Sequence, residues 1–370
     1  MLLFTPGPTP VPESVRQAMA KETIHHRTPE FEAQFGRARD LLKKVFGMPE
    51  VLMISSSGTG SMEASVMNLT SSKILTVNSG KFGERFGKIA KSLEIPFIEL
   101  KQDWDTPANV DEVVEVIKND SEIDAIAIQM SESAGGLRHP VEEIAKKVKE
   151  INPNIMIIAD GITSVGTEKI DVSNIDALIS GSQKAFMLPP GLSYIGLSEK
   201  AIEKIQNNRI KSFYFDLKSE LKAQAKSTTA YTPATTLIQG TIAILEEFEA
   251  FGFDKLYSTT AKRAEATREA LKSLGLKIFP KTPANSMTTI FDEKASEIRK
   301  VLKNDFGVHL AGGQDSYKNT LFRINHMGLI PENEMAWVIN SVELALDKLG
   351  IRAFDGTANV VFNKIYFDLK

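Results

Sequence analysis

The chain has 370 residues, of which 42% are hydrophobic and 25% are charged, a balance typical of a folded protein large enough for two domains. Its net charge of −3 gives no reason to expect nucleic acid or an anionic membrane as a partner. Because the chain has no cysteine, disulfides, thiolate metal sites and cysteine nucleophiles are excluded. The first apolar residues meet Pro6 and Pro8 at once, unlike a signal peptide or a membrane span, so we expect a cytoplasmic protein.

Between residues 50 and 200, short apolar runs rich in β-branched residues alternate with amphipathic stretches such as 82–93 and 141–151. This alternation predicts an α/β domain with a mainly parallel sheet, because helices connect parallel strands. The periodicity does not distinguish a Rossmann-like sheet from other mainly parallel α/β sheets. The predicted strands are 51–56, 73–78, 95–100, 125–130, 155–159, 177–181 and 193–197.

The pattern changes after residue 235, where two long helices precede shorter mixed elements. We predict a large domain of residues 13–259 and a smaller α+β domain of residues 260–370, joined by residues 1–12. Since no Pro/Gly/Ser-rich linker separates them, we expect a helix at the boundary. The predicted helices are 235–251, 254–273, 293–303 and 331–348, and the predicted strands are 276–280, 286–291, 307–310 and 320–325.

A glycine-rich turn, Ser57-Gly58-Thr59-Gly60, lies between the first predicted strand and a helix. Such a turn presents free backbone N–H groups and the positive end of the helix, which suits a phosphate group. No Gly-Lys-Ser/Thr sequence closes it, so it is not a nucleotide P-loop. An ordinary strand-to-helix turn has the same composition, and the motif alone leaves both interpretations open.

Asp160 ends one predicted strand, and Lys184 follows the next one, 24 residues later. The carboxyl ends of parallel strands lie at one edge of a sheet, so we expect both side chains in one crevice. A lysine that forms a Schiff base and an acid that protonates a pyridine nitrogen are the two groups that a pyridoxal phosphate site needs most. Considered singly, Lys184 is compatible with a solvated lysine and Asp160 with a helix N-cap.

Six features follow one another along the chain. They are Thr-Pro-Gly-Pro-Thr at residues 5–9, His-Arg-Thr-Pro-Glu-Phe at residues 26–31, the turn at residues 57–60, Asp160, Lys184 and Arg323. In order and spacing they resemble the class V aminotransferases, the branch with serine–pyruvate, alanine–glyoxylate and phosphoserine aminotransferases. The resemblance covers nearly the whole chain. It implies the fold of the fold-type I transferases, with a seven-stranded, mainly parallel sheet and a smaller C-terminal α+β domain.

The resemblance also implies the cofactor, pyridoxal 5'-phosphate, and its contacts. Lys184 is the implied Schiff-base lysine, which also moves the substrate α-proton as general base and acid. Asp160 is the implied partner of the pyridine nitrogen and keeps the ring protonated. The other implied contacts are Ser57, Gly58, Thr59 and Gln183, with Ser182, to the phosphate, Phe82 to the ring face, and Ser133 to the phenolic oxygen.

Residues 129–136 depart from the family motif, which is close to His-x-Glu-Thr/Ser-Ser-Thr-Gly. The chain has Gln-Met-Ser-Glu-Ser-Ala-Gly-Gly there, so Glu132 and Ser133 remain while the histidine and the central Ser-Thr are missing. We therefore assign no role to the rest of this loop.

The implied substrate contacts lie elsewhere in the chain. Arg323 matches the clamp for the substrate α-carboxylate, because its guanidinium fork suits a bidentate contact; the alternative is a salt-bridged arginine on an edge strand. His26 and Arg27 match a segment near the substrate mouth, where they would meet an anionic side chain. Adjacent histidines without further ligands do not predict a metal site. Tyr231 and Thr232 match a segment that crosses to the partner's cofactor phosphate, which implies a homodimer.

Together these features predict a ping-pong aminotransferase that moves an amino group between serine or alanine and glyoxylate or pyruvate. The alternative is a phosphoserine:2-oxoglutarate aminotransferase of serine biosynthesis, in which His26, Arg27, His326 and lysine residues near the substrate mouth would provide positive charge. A pyridoxal lyase is a further alternative, although the absence of cysteine disfavours the desulfurase type. A binding module without catalysis is disfavoured, because binding alone requires no aldehyde-reactive amine.

Overall fold

A computed structural model describes residues 1–369; residue 370, the last of the predicted small domain, lies outside the described residues. The α-helices are α1 (Glu13–Met19), α2 (Pro29–Phe46), α3 (Gly58–Leu69), α4 (Lys81–Ser92), α5 (Val110–Asn119), α6 (Val141–Ile151), α7 (Glu199–Asn207), α8 (Leu217–Gln224), α9 (Thr235–Phe251), α10 (Phe253–Ser273), α11 (Ala295–Asp305), α12 (Glu332–Lys348) and α13 (Thr357–Tyr366). The β-strands are β1 (Leu2–Leu3), β2 (Glu50–Ile54), β3 (Lys73–Asn78), β4 (Phe97–Lys101), β5 (Ile123–Gln129), β6 (Ser131–Glu132), β7 (Leu137–Arg138), β8 (Met156–Asp160), β9 (Ala177–Gly181), β10 (Ser193–Leu197), β11 (Lys277–Ile278), β12 (Met287–Phe291), β13 (Val308–His309), β14 (Ala311–Gly312) and β15 (Leu321–Asn325).

Seven strands form one sheet in the order β2-β10-β9-β8-β5-β3-β4. Neighbouring strands are parallel except at β10, which is antiparallel to both β2 and β9. These are the seven strands predicted between residues 50 and 200, and the predicted seven-stranded, mainly parallel sheet is confirmed. Hydrophobic clusters cover both faces of the sheet, which explains why its strands are nearly continuous apolar runs.

Strand β8 shows how the sheet positions a polar residue at its edge. Ile157 and Ala159 face the cluster formed with α2, α6 and α9, whereas Met156 and Ile158 face the cluster formed with α3 and α4. Because successive side chains of a strand alternate between faces, Asp160 lies on the same face as Ile158. Every residue of β8 is buried, so the strand ends with a carboxylate in the interior.

A second, antiparallel sheet has the order β11-β12-β15-β14 and packs with α10 to α13 around a separate hydrophobic cluster. Leu256 of α10 belongs to a cluster of the large sheet, whereas Ala266 and Ala270 of the same helix belong to the second cluster. Phe4 also lies in the second cluster, and β1 pairs with β13. We therefore propose that the domain boundary lies within α10 and that the N-terminus belongs to the small domain.

Helix α13 was not predicted from the sequence pattern, and neither were α1, α2, α7 and α8. Helix α13 contains Val360 and Val361 side by side, and β-branched residues have weaker helix propensity. Its Ala358 and Phe362 are buried in the second hydrophobic cluster, so tertiary packing stabilises this helix. Within residues 1–369, no helix combines the length and apolar character that crossing a membrane requires.

Candidate active site

The carboxyl edge of the large sheet carries the polar residues identified in the sequence. β2 leads into the glycine-rich turn, β8 ends at Asp160, and β9 leads into the loop that contains Lys184. Asp160 is in register with Gln129 of β5 and with Ile179 of β9. Since these strands run parallel, their ends lie around one crevice.

The loop that holds Lys184 is fixed from within and by the N-terminal segment, residues 5–9. The Ser182 hydroxyl donates to the Pro189 carbonyl (2.7 Å) and accepts the Leu192 N–H (3.3 Å), so it holds the loop together. Thr9 donates its backbone N–H to the Gln183 carbonyl (3.1 Å) and its hydroxyl to the Lys184 carbonyl (2.7 Å). The N-terminal segment is thus one wall of the crevice.

The amine of Lys184 is enclosed by this wall and donates a hydrogen bond to the Pro6 carbonyl. A Cβ atom on Gly7 would lie only 2.5 Å from the Nζ atom, and the φ of Gly7 is +112°, so glycine is required here. Burial, together with the Arg323 charge, lowers the pKa of Lys184 to about 8. A fraction of the amine is therefore neutral near pH 7, and the neutral form attacks aldehydes.

Asp160 is 4% exposed, and its side chain makes one hydrogen bond, in which Oδ1 accepts the Ile162 N–H at 2.9 Å. This bond caps the turn after β8; no helix lies between β8 and β9, so the alternative of a helix N-cap is wrong. The Oδ2 atom makes no hydrogen bond to any residue between 1 and 369. Burial raises the pKa of Asp160 to about 6, opposed by the Ile162 bond and by the charges of Lys184 and Arg85. One carboxylate oxygen thus holds the turn while the other is available to a ligand.

Arg323 lies on β15, an interior strand of the small sheet, and is 8% exposed. Its Nε and Nη2 donate to the Gly312 carbonyl (3.0 and 2.6 Å), and its Nη1 donates to the Ser133 carbonyl (2.7 Å). Three of the five guanidinium N–H groups are engaged, and among the described residues one on each terminal nitrogen has no acceptor. Two such donors suit one carboxylate. Burial lowers the pKa of Arg323 to about 10, so it remains a cation at neutral pH.

The glycine-rich turn forms the N-terminus of α3, with Ser57 as the N-cap residue. The N–H groups of Gly58 and Thr59 donate to no acceptor within residues 1–369. Gly58 packs on the turn that follows Asp160, where a Cβ atom would lie 2.4 Å from Cδ1 of Ile162. The two loops therefore meet closely at a glycine, and the unpaired N–H groups at the start of α3 are of the kind that suits an anion.

Glu132 connects the segment that contains Phe82 with the loop that contains Ser133. The buried Glu132 carboxylate accepts N–H bonds from Phe82, Gly83 and Ala134, each at 2.9 Å. It thereby joins the start of α4 to the loop that contains Ser133, whose carbonyl binds Arg323. Burial raises the pKa of Glu132 to about 7 against these three bonds.

The remaining residues predicted to contact the phosphate are Gln183, Tyr231 and Thr232. The Oε1 atom of Gln183 is buried and has no partner in the described structure. Tyr231 donates its hydroxyl to the Phe213 carbonyl (2.5 Å) and stacks on Tyr214 with ring centroids 5.2 Å apart. Thr232 is exposed. None of these contacts joins Tyr231 or Thr232 to Lys184 of the same subunit.

His26 and Arg27 lie at the surface before α2, and their contacts are local. The Arg27 N–H lies 3.3 Å from Nδ1 of His25, and the His26 ring meets the edge of Phe31 at 6.5 Å. Neither residue forms a hydrogen bond or an ion pair with Lys184, Asp160 or Arg323 of the same subunit. His326 is buried, and burial lowers its pKa well below the ordinary value, so it is neutral at physiological pH. The expectation that His326 supplies positive charge is therefore wrong.

Two groups of residues at the crevice were missed in the sequence. The N-terminal segment was noted only as a motif, although Pro6 and Gly7 contact Lys184. Arg85 was not noted, yet its Nη1 donates to the Thr59 hydroxyl (2.7 Å) and its Cζ lies 4.7 Å from the centre of the Phe82 ring. The sequence carried one signal for Arg85: it follows Phe82 by three residues, and residues three apart in a helix share a face. Among residues 1–369, no group of three His, Asp or Glu side chains is placed to hold a metal ion.

Comparison with known proteins gives consistent results. The sequence profile of the family "Aminotransferase class-V" matches residues 1–330. An uncharacterized aminotransferase of Helicobacter pylori is 52% identical over 373 residues, covering 100% of both chains. The serine–glyoxylate aminotransferase of Methylorubrum extorquens is 28% identical, covering 96% of this chain and 93% of that protein. The structure of a Thermus thermophilus aspartate aminotransferase of subgroup IV superposes with a TM-score of 0.88 at 29% identity, covering 94% of this chain and 99% of that one. The predicted family and enzyme class are confirmed: the chain belongs to the class V aminotransferases.

Proposed function

We propose that the protein is a pyridoxal 5'-phosphate-dependent aminotransferase that uses serine or alanine as amino donor and glyoxylate or pyruvate as acceptor. The observation that carries this proposal is the convergence of a buried amine, carboxylate and guanidinium at one crevice. Asp160 ends strand β8 of the large sheet, Lys184 lies in the loop after β9, and Arg323 lies on strand β15 of the small sheet. The charges of Asp160 and Arg323 both act on the Lys184 amine.

The donor groups of the crevice fit this cofactor. The Lys184 amine suits an aldehyde, the free Oδ2 of Asp160 suits a protonated ring nitrogen, and the unpaired N–H groups of Gly58 and Thr59 suit a phosphate. The Ser57 side chain makes no capping bond within α3, so its hydroxyl is free for the same phosphate. The buried, unpartnered amide oxygen of Gln183 lies next to the lysine and marks a further polar position that a ligand would fill.

When bound, pyridoxal phosphate supplies an aldehyde that condenses with amines and a ring that accepts electrons. The chain's own residues provide the rest. Arg323 holds the α-carboxylate of the amino acid by its two free N–H groups, which orients the Cα–H bond. Lys184, with its lowered pKa, takes the α-proton as a base and returns it as an acid. Asp160 holds a proton at the ring nitrogen, where its buried carboxylate forms a charge-assisted bond.

The choice of a small donor rests on two observations. The relative from Methylorubrum extorquens is named a serine–glyoxylate aminotransferase. In addition, the cations expected to meet a phosphoserine side chain gain no support from one subunit, because His26 and Arg27 make only local contacts and His326 is neutral. Phosphoserine with 2-oxoglutarate therefore remains the second candidate rather than the first.

We also propose that the enzyme is a homodimer in which Tyr231 and Thr232 approach the cofactor phosphate of the partner. These residues adjoin an exposed aromatic group, in which Phe213 is 83% and Tyr214 is 44% exposed. Exposed aromatic clusters of this kind are typical of protein interfaces.

The donor half-reaction tests the substrate assignment. The purified enzyme in its pyridoxal form is mixed separately with serine, alanine, glutamate and phosphoserine, and conversion of the cofactor to its amine form is followed by absorbance. We expect fast conversion with serine or alanine. Conversion by phosphoserine and glutamate alone would instead establish the second candidate, and no conversion by any of the four amino acids would refute both.

A further inference from the structure

We propose that Arg85 binds the phosphate group of the cofactor and supplies the positive charge that the glycine-rich turn lacks. This inference rests on the proposed function and extends it. The turn at residues 57–60 offers backbone N–H groups and hydroxyls but contains no lysine or arginine. A phosphate in a partly buried site is stabilised more strongly by a charge-assisted bond to a cation than by neutral donors alone.

The first support is a direct contact with the turn. The Nη1 atom of Arg85 donates to the Thr59 hydroxyl at 2.7 Å. Thr59 is the second residue of α3, and its backbone N–H and that of Gly58 have no acceptor within residues 1–369. This contact uses one of the five guanidinium N–H groups, and the other four make no hydrogen bond in the described structure. The guanidinium thus lies beside the unpaired N–H groups of Gly58 and Thr59, and four of its own N–H groups remain available to a ligand.

The second support is that the charge of Arg85 is not neutralised elsewhere in residues 1–369. The adjacent carboxylate on α4, Glu84, pairs with Lys81 at 3.8 Å and with Lys88 at 2.8 Å. Burial dominates the pKa shifts of Asp160 and Lys184, but the Arg85 charge also acts on both groups. Arg85 therefore directs an uncompensated positive charge into the crevice.

The third support is the packing of Arg85 on Phe82. Its Cζ atom lies 4.7 Å from the centre of that ring, within the range of a cation–π contact. The stacking holds the planar guanidinium between the turn of α3 and the first turn of α4. A planar fork matches a phosphate bidentately, which a lysine ammonium does not.

A ligand pair that differs only in the phosphate tests the proposal. The full-length chain is freed of cofactor and titrated with pyridoxal phosphate and, separately, with pyridoxal, and binding is followed by absorbance and protein fluorescence. We expect Arg85→Gln to weaken pyridoxal phosphate about tenfold or more, the size of a lost charge-assisted bond, while pyridoxal changes by less than about twofold. Arg85→Lys should recover part of the affinity because it keeps the charge.

Lys81→Gln is the matched control, since Lys81 is a cation on the same helix that pairs with Asp315 at 2.8 Å. It should change neither affinity. Equal weakening of both ligands by Arg85→Gln would assign Arg85 to ring packing, and unchanged affinity for both would remove it from the site; either result overturns the proposal. If the wild-type chain bound neither ligand through Lys184, the proposed function itself would fail, which is a separate outcome.

Discussion

The crevice and one part of the surface both match motifs of the class V aminotransferases. They differ in how far a single subunit encloses the matching residues. At the crevice, Lys184, Asp160 and Arg323 are enclosed by strand ends and by the N-terminal segment, and their pKa values are shifted by burial. At the surface, Arg27 and Thr232 are exposed, and neither forms a hydrogen bond or an ion pair with those three residues. One subunit thus encloses the residues assigned to the chemistry, but it leaves Arg27 and Thr232 at its surface.

Replacing Lys184 tests the crevice with the largest expected effect. Lys184→Ala removes both the amine that attaches the cofactor and the base that moves the α-proton, so turnover should fall by at least about 10⁴-fold while the fold is retained. Turnover and the mass of the borohydride-treated protein are the measurements, with Lys81→Ala as the control. If the cofactor were still attached covalently in Lys184→Ala, another lysine would have to form the Schiff base.

Replacing Asp160 distinguishes a catalytic role of its carboxylate from a role in turn capping alone. Asp160→Asn keeps an oxygen for the Ile162 N–H but loses the charge opposite the ring nitrogen, so turnover should fall about 10²-fold, or about 3 kcal/mol, with the cofactor still bound. Asp171→Asn is the control, because Asp171 is exposed and caps a similar turn by accepting the Ser173 N–H at 3.0 Å. If both variants kept wild-type turnover, Asp160 would be only a cap.

The lowered pKa of Lys184 predicts a pH dependence of cofactor attachment to the cofactor-free chain. Only the neutral amine reacts, so the rate should rise about tenfold per pH unit below pH 8 and become constant above it. Rapid-mixing absorbance measures this rate. Arg323→Leu should shift the midpoint upward, because the Arg323 charge helps to lower this pKa. A wild-type rate that still rises near pH 10, the ordinary lysine range, would contradict the enclosed amine.

Arg27 should have the smallest effect. If serine and alanine are the donors, Arg27→Ala should change the serine half-reaction by less than about threefold, as is usual for an exposed charge. A loss for phosphoserine far larger than that for glutamate would show instead that the surface region takes part in side-chain recognition. Equal losses for those two donors would indicate a structural role for Arg27.

The large sheet was predictable from sequence because each of its strands is a short apolar run between turns. The run that ends at Asp160 is buried on both faces, and such strands have a distinct composition. Helix α13 was not predictable in this way, because its two adjacent valines have weak helix propensity and its stability comes from contacts of Ala358 and Phe362.

The candidate site follows the same division. Lys184, Asp160 and the glycine-rich turn each follow a strand, so sequence order and parallel topology already place them at one edge. The contacts of Arg85 with Thr59 and Phe82 join two helices, and the contact of Pro6 with Lys184 joins segments 178 residues apart. No local pattern encodes such contacts, because they depend on how elements distant in the chain pack together.

The sequence by itself determined the family, the α/β architecture and the residue types that the chemistry needs, because hydrophobic periodicity and strand-end motifs are local properties. Only the tertiary structure decided that His326 is neutral, that Arg323 keeps two free donors, and that the Lys184 amine is enclosed by the N-terminal segment. Burial and hydrogen-bond partners shift protonation and donor availability, and both arise from the packing of residues that are far apart in the chain.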